Sequence, residues 1–315
     1  MSHPDFLVCE TVNCRNLEES KSWMLDNIGR IEQSLLEKGA VLVKGLSLPT
    51  VDNFHEIAQL LEAEKSDYSG GATPRLRTKD NVFTATETPQ DHVIHFHNEL
   101  AYSDRAPQKL VFYCEEPAEQ GGETVLVDGR RYLDVLDNET LKLLKSKEVI
   151  YKRRLRSKVN RGFGMSWQDV FNSEDKTTVE QRCNEHHYDY YWESDFLILE
   201  STQKLIYQHP ETDKETFFSA LFTHRNWFNP MYKPLYDLLG ANKVSTDAQW
   251  ADGSEIDLEL TKNLYDTLNS LSYAVSWEKG DILFLDNFYI GHSRNAYKGS
   301  RKLFVSMLTM RSLLG

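Results

Sequence analysis

From Val93 onwards, much of the chain consists of short β-rich runs separated by turn residues. Such runs are typical of strands in a sandwich or barrel rather than of long helices. Together with helical segments near the N-terminus, they predict a mainly β core with helices packed outside it, an α+β arrangement. The runs are Val93 to Leu100, Lys109 to Glu115, Thr124 to Asp128, Asp281 to Ile290 and Leu303 to Met310.

The helical segments are indicated by apolar residues that recur at three- and four-residue spacing. In the first of them, Met24, Ile28, Ile31 and Leu35 follow this pattern, and Gly39 comes after it as a stop signal. A strand is expected between the first two helices. The predicted segments are a helix from Glu19 to Lys38, a strand from Ala40 to Leu46, a helix from Val51 to Glu64, and a helix from Arg130 to Ser146 broken at Asn138-Glu139.

Nothing in the sequence marks a domain boundary, because no internal repeat or low-complexity linker interrupts the 315 residues. We therefore expect one domain over residues 1–315, in which a helical portion, about residues 1–66, packs on the β core. The sequence carries no signal for an oligomeric state.

Composition excludes several classes of protein. The net charge of −12 repels nucleic-acid phosphates, so we expect no nucleic-acid partner. No apolar run reaches the ~20 residues that span a bilayer, and the N-terminus lacks a signal peptide, so we expect no membrane partner and a cytoplasmic location. The four cysteines form no C-x-x-C pair, which argues against a zinc knuckle.

A candidate metal site begins at the sequence His95-Phe96-His97-Asn98-Glu99. Residues two apart on a strand face the same way, so His97 and Glu99 can direct two ligands at one ion. With a distant histidine they would form the 2-His-1-carboxylate triad of non-haem iron(II) oxygenases. His95 and His97 also share a face, however, and a three-histidine set with His292 would suit zinc. By itself the H-x-E pattern leaves both readings open, as well as ordinary hydrogen-bonded histidines.

The distant histidine is His292, which follows the predicted strand from Asp281 and precedes Arg294 and Arg301. It lies 195 residues after His97 (292 − 97), so only a fold that brings these strand ends together could unite the two. A guanidinium near an iron site would serve to bind the distal carboxylate of 2-oxoglutarate, although arginines in such a position, taken alone, more often belong to a solvated strand end.

Several ordered motifs resemble the taurine dioxygenase superfamily of iron(II)- and 2-oxoglutarate-dependent oxygenases, in particular its clavaminate-synthase-like branch. The resemblance runs from about Gly39 to Met310. The motifs, in chain order, are Tyr68 to Arg75, Val82 to Pro89, His97-Asn98-Glu99, Ala118 to Thr124, Ser166 to Phe171, Trp277 to Asn287, and His292-Ser293-Arg294.

This resemblance implies a double-stranded β-helix (jelly roll) with His97, Glu99 and His292 as iron(II) ligands, and with 2-oxoglutarate and O2 as cosubstrates. It also implies that Thr124 binds the distal carboxylate of 2-oxoglutarate. The sequence departs from the family at the carboxylate-binding arginine, where Val305 or Ser306 stands. Arg301 is the nearest candidate, followed by Arg294 and Arg311.

The implied activity is hydroxylation of an unactivated C–H bond in a small molecule, such as an amino acid or its derivative, with succinate and CO2 as coproducts. The substrate could be free or tethered to a carrier protein. Glu99 disfavours halogenation, because halogenases of this group lack the carboxylate. Desaturation or cyclisation by the same triad, a zinc-dependent hydrolase and a catalytically silent binding module are the alternatives.

Two further segments were considered for a functional role, one basic and one aromatic. The basic residues from Lys152 to Arg161 could form a lid for an anionic substrate, with Gly162-Phe163-Gly164 as its hinge, although charge runs are more often solvated faces. The aromatic cluster from His186 to Trp192 is expected to be structural, since aromatic residues dominate cores and half-buried strands.

Overall fold

A computed structural model of the chain describes residues 3–61, 77–79, 82–85, 88–160 and 165–314. Several of the segments named above therefore lie wholly or partly outside the described residues, among them Val51 to Glu64, Tyr68 to Arg75, Val82 to Pro89, Lys152 to Arg161, and Gly162 to Gly164.

The helices of the described residues are short apart from the first. They are α1 Leu17–Glu37, α2 Val51–Leu60, α3 Gly129–Val135, α4 Asn138–Ser146, α5 Trp167–Phe171, α6 Lys176–Glu185, α7 Leu221–His224, α8 Lys233–Leu239 and α9 Leu258–Ser270, with a 3-10 turn at Asn226–Phe228.

The strands are distributed over several sheets. They are β1 Leu7–Thr11, β2 Ala40–Lys44, β3 Arg77–Lys79, β4 Val82–Thr84, β5 Ile94–His97, β6 Arg105–Glu116, β7 Gln120–Gly121, β8 Thr124–Asp128, β9 Val149–Leu155, β10 Asp189–Glu193, β11 Phe196–Gln203, β12 Ile206–Gln208, β13 Glu215–Phe217, β14 Thr246–Trp250, β15 Tyr273–Val275, β16 Ile282–Asp286, β17 Ile290–Arg294, β18 Tyr297–Lys298 and β19 Lys302–Ser312.

Two of the sheets form the core. The larger has the order β1-β2-β16-β6-β19-β4-β3, and the smaller has the order β15-β8-β17-β5. Leu110 and Leu283 of the larger sheet share one buried apolar cluster with Leu126 and Ile290 of the smaller, so the two sheets pack face to face. This arrangement confirms the expected mainly β jelly roll with flanking helices.

The N-terminal helices cover the other face of the larger sheet. Along β2, the side chains of Val41 and Val43 alternate with those of Ala40 and Leu42. Val41 and Val43 pack in a second apolar cluster with residues of α1 and α2, including Met24, whereas Ala40 and Leu42 belong to the cluster between the two sheets. Both faces of β2 are therefore buried, which is why its sequence is a continuous apolar run rather than an alternating one. None of the described helices is both long enough and apolar enough to cross a membrane.

The predicted helix from Arg130 to Ser146 is indeed two helices. The break falls at Leu136-Asp137 rather than at Asn138, because the Asp137 carboxylate accepts the N–H groups of Glu139 and Thr140 and so begins α4. The second predicted helix is confirmed over Val51–Leu60, and the last three residues of the prediction, 62–64, lie outside the described residues.

One predicted strand was wrong in a way that matters for the site. The run from Asp281 to Ile290 is not one strand, because β16 ends at Asp286 and β17 begins at Ile290. The Asp286 carboxylate accepts the N–H groups of Phe288 and Tyr289 and so turns the chain. The turn takes the chain from the larger sheet to the smaller one.

Candidate metal centre

Strand pairing brings the two predicted histidine ligands together. His97 at the end of β5 and His292 in the middle of β17 are directly opposed partners across an antiparallel ladder. Their ring centroids lie 4.3 Å apart. Opposed residues of a ladder project from the same face, so both imidazoles are directed to one point.

Glu99 reaches the same point from a different element. The strand ends at His97, and Glu99 lies in the turn that follows, so the predicted strand from Val93 to Leu100 was too long. Its carboxylate is therefore placed by the turn and not by strand alternation. One ligand atom from each of His97, Glu99 and His292 lies within 4.8 Å of the other two.

The tautomer of His97 suits a metal ligand. Its Nδ1 lies 2.9 Å from the backbone oxygen of His95. A carbonyl oxygen can only accept, so Nδ1 carries the proton and Nε2 keeps its lone pair. Two imidazoles and one carboxylate, with Glu99 and His292 both buried, form a donor set that fits a divalent first-row metal.

A buried amide network holds the turn that carries Glu99. The Asn287 side chain accepts from the Glu99 N–H at 2.8 Å and donates to the Glu99 carbonyl at 3.0 Å. In return, the Asn98 side chain donates to the Asn287 carbonyl at 2.6 Å and accepts from the Ser219 N–H at 2.9 Å. Since Asn287 lies in the turn before β17, this network ties the Glu99 turn to the strand that carries His292.

Replacing Asn287 by alanine is expected to destabilise the protein by about 3 kcal/mol or more, because buried partners of its amide lose their hydrogen bonds. Metal affinity should fall as well, since the Glu99 turn is released. Urea unfolding and metal titration measure the two effects. Asn263→Ala, on the exposed side of α9, is the matched control and should change neither. Wild-type stability in Asn287→Ala would contradict the expectation.

The clustered histidines His92 and His95 stand outside this group. His95 packs its ring against Phe228 and Tyr265, with centroids 5.5 and 5.1 Å away. Burial lowers its pKa to about 4, with a smaller contribution from the charge of His97. The three-histidine alternative is therefore not formed: Glu99, and not His95, completes the group.

A narrow cavity on one side of the group contains the predicted cosubstrate residues. His97, His292, Thr124, Arg294 and Arg301 all line it. Thr124 is a cross-strand partner of Arg294, and its hydroxyl oxygen accepts from the Trp277 indole N–H at 3.0 Å. Since the oxygen is used as an acceptor, the hydroxyl proton can be donated to a ligand in the cavity.

The three candidate arginines are in different situations. Arg294 donates to the carbonyls of Thr88, Pro89 and His92 at 3.0, 2.7 and 2.6 Å, so its terminal nitrogens hold the chain before β5. Arg311 lies at the other end of β19, where it donates to Gln108 at 2.8 Å and to Glu211 at 3.0 Å. Arg311 does not line the cavity.

Arg301 differs from both. Within the described residues its hydrogen bonding is limited to Nε, which donates to the Gly122 carbonyl at 3.0 Å, and its guanidinium faces no carboxylate at ion-pair distance. Burial, and then repulsion from Arg294, lower the pKa of Arg301 to about 10. A buried cation in this state is stabilised by an anion that enters the cavity.

A second cavity opens on the Glu99 side of the group and has a volume of about 180 Å³. We call it the substrate cavity. Its walls come from β5 and the turn after it, from α7 and the 3-10 turn, and from β14. Apart from His97 and Glu99, its lining includes His95, Tyr102, His224, Asn226, Tyr232 and Thr246. The sequence pattern did not identify this wall, because no motif joins residues 224–232 to the H-x-E segment.

The family of this chain follows from comparison with known proteins. Residues 15–307 match the family described as "Taurine catabolism dioxygenase TauD, TfdA family". The chain belongs to the TauD/TfdA family. This TauD/TfdA chain is 31% identical to the dapdiamide synthesis protein DdaC of Enterobacter agglomerans over 281 residues, which cover 88% of this chain and 84% of DdaC. It is 27% identical to a clavaminate synthase-like protein of Arabidopsis thaliana, over 88% and 83% of the two chains.

Solved structures of low sequence identity share the fold of this TauD/TfdA chain. The PvcB protein of Pseudomonas aeruginosa superimposes with a TM-score of 0.55 at 14% identity, over 97% of this chain and 87% of PvcB. A taurine dioxygenase from Burkholderia xenovorans gives a TM-score of 0.54 at 12% identity, over 96% and 85%.

Family membership and the His-Glu-His group together identify the class of enzyme. It is a non-haem iron(II)- and 2-oxoglutarate-dependent dioxygenase, with O2 as the second cosubstrate. The comparisons support neither a zinc-dependent hydrolase nor a silent binding module.

Proposed function

We propose that His97, Glu99 and His292 hold the iron(II) of this dioxygenase, and that the enzyme hydroxylates an unactivated C–H bond of a small molecule such as an amino acid or its derivative. Succinate and CO2 are the coproducts. The observation that carries the proposal is the convergence of three ligand atoms within 4.8 Å at the boundary between two cavities. Bound iron(II), with three protein ligands and open positions, supplies the activation of dioxygen.

The narrow cavity suits 2-oxoglutarate. Arg301 offers terminal N–H groups to the distal carboxylate, and the Thr124 hydroxyl offers one further donor. Arg294 contributes positive charge at the same end and shapes the wall through the carbonyls that it holds. A keto acid that chelates the metal requires an anion-binding end and a metal-binding end in one cavity, and the residues lining the narrow cavity support this proposal.

The substrate cavity supports the choice of a small substrate. It is bounded by polar and aromatic side chains and adjoins Glu99 directly. DdaC bears the name of a dapdiamide synthesis protein, and PvcB is described as an oxygenase from an isonitrile synthetic pathway. By analogy we propose a role in the biosynthesis of a small natural product, with a free amino acid or a carrier-tethered aminoacyl group as substrate.

Anaerobic addition of iron(II) and 2-oxoglutarate tests the site, because the chelate gives a visible charge-transfer band. We expect the band in the wild type, and we expect succinate release to increase when the correct amino acid and O2 are supplied. Mass analysis of the product separates hydroxylation from desaturation or cyclisation, which use the same triad. If the metal-loaded protein shows no band, the assignment is wrong.

Thr124→Val is expected to raise the Kd of 2-oxoglutarate by roughly 10-fold, because one hydrogen bond to a charged group is lost while side-chain volume is kept. Titration of the chelate band measures it. Thr202→Val on the exposed side of β11 is the control and should leave the Kd unchanged. An unchanged Kd in Thr124→Val would remove Thr124 from the cosubstrate site.

A further inference from the structure

The wall of the substrate cavity contains buried polar atoms that the described part of the chain does not satisfy. They are His95 Nδ1, His224 Nε2 and Asn226 Oδ1. All three residues line the same cavity. Protein interiors leave few such atoms, and each one requires an explanation such as a ligand or a functional role. Their concentration beside Glu99 indicates a ligand.

His224 presents a hydrogen-bond acceptor. It is the last residue of α7 and is 1% exposed. Its Nδ1 lies 3.1 Å from the Ala220 carbonyl oxygen, which can only accept, so Nδ1 carries the proton and Nε2 has the lone pair. Burial, and then the charge of Arg153, lower the pKa of His224 to about 3, which keeps the ring neutral at neutral pH.

The other two atoms are one acceptor and one donor. Asn226 Oδ1 is an amide oxygen and can only accept. His95 Nε2 lies 3.2 Å from the Asn229 side-chain nitrogen, which donates to it, so the proton of His95 lies on Nδ1. The residues that line the cavity therefore carry two acceptor atoms and one donor atom without hydrogen-bond partners in the described part of the chain.

We propose that the substrate presents a neutral N–H donor, a primary carboxamide, to His224 and Asn226, with its carbonyl oxygen accepting from His95. This inference rests on the proposed function, because it names the substrate class of the same iron site. A carboxamide has two N–H donors and one acceptor, which complement the three atoms of the wall. A carboxylate would set its lone pairs against two acceptors, and an ammonium group has no acceptor for the His95 N–H.

The test uses the full chain, loaded anaerobically with iron(II) and saturating 2-oxoglutarate, and reads substrate binding as a change in the chelate band. The probes are L-asparagine with L-aspartate and its β-methyl ester, and L-glutamine with L-glutamate and its γ-methyl ester. The acid differs from the amide in charge, and the ester is neutral but lacks the N–H donor. We expect at least one amide to bind roughly 10-fold or more tightly than its acid and its ester.

Three variants test whether the preference for the amide comes from the wall of the substrate cavity. His224→Phe and Asn226→Leu remove one acceptor each and should reduce the preference for the amide by about 10-fold. His224→Gln keeps a carbonyl acceptor and should restore part of it. An intact chelate band and a normal melting temperature show that each variant is folded.

Equal binding of amide, acid and ester, or no response to any amide at its solubility limit, overturns the inference while leaving the iron site in place. An amide preference that survives in both His224→Phe and Asn226→Leu also overturns it. Failure of the chelate band in the wild type is a different result: it defeats the proposed function, and this inference with it.

Discussion

His292→Ala is expected to abolish the iron(II)–2-oxoglutarate charge-transfer band and 2-oxoglutarate-dependent succinate release. Removing a partner that merely orients a metal ligand typically lowers affinity or activity by about 10- to 100-fold, so removing a ligand should exceed that range. The two remaining ligands, His97 and Glu99, lie in one short segment, so the variant has no ligand on the opposite strand.

Metal-dependent thermal stability provides a second measurement for His292→Ala. Ligands that bind only the folded state raise the melting temperature, so iron(II) with 2-oxoglutarate should stabilise the wild type and leave the variant unchanged. His92→Ala is the matched control, because His92 belongs to the same histidine cluster but lies outside the ligand group. A band of wild-type intensity in His292→Ala, or its loss in His92→Ala, would show that the ligand set is wrong.

Arg301→Gln is expected to raise the Kd of 2-oxoglutarate by at least about 100-fold. Breaking a buried charge pair by removing one partner costs about 3–5 kcal/mol, and each 1.4 kcal/mol is about a factor of ten in Kd. The lowered pKa of Arg301 has the direction expected for a buried cation that lacks an anion. Binding of a dianion should therefore be strongest while the guanidinium is charged, which covers the whole physiological range.

Two comparison variants distinguish the arginines. Arg311→Gln should leave the Kd unchanged, because Arg311 is engaged with Gln108 and Glu211 away from the cavity. Arg294→Gln should lower the melting temperature together with the affinity, since Arg294 holds three carbonyls of the chain before β5. A large effect in Arg294→Gln with none in Arg301→Gln would reverse the assignment.

Arg301→Lys should recover only part of the affinity for 2-oxoglutarate, because a lysine lacks the planar fork of the guanidinium.

Much of the fold was predictable from the sequence because its signals are local. Apolar alternation, turn residues and helical spacing each act over a few residues, and they located most of the β core and the N-terminal helices. The ends of helices and strands were less predictable where a side chain forms a turn by accepting backbone N–H groups. The Asp286 carboxylate ends β16 by binding the N–H groups that follow it, within a run whose apolar residues look continuous.

The candidate iron ligands His97, Glu99 and His292 were predictable from the sequence, because its ordered motifs resemble those of the family. The sequence did not show how these three residues come together. The strand register sets His97 opposite His292, and Glu99 lies in a turn that hydrogen bonds to Asn287 hold in place. The sequence ranked Arg301 before Arg294 and Arg311, but their different hydrogen-bond partners became visible only in the folded chain. The physical reason is that an arginine's role depends on which acceptors its guanidinium already contacts, and those acceptors come from distant parts of the chain.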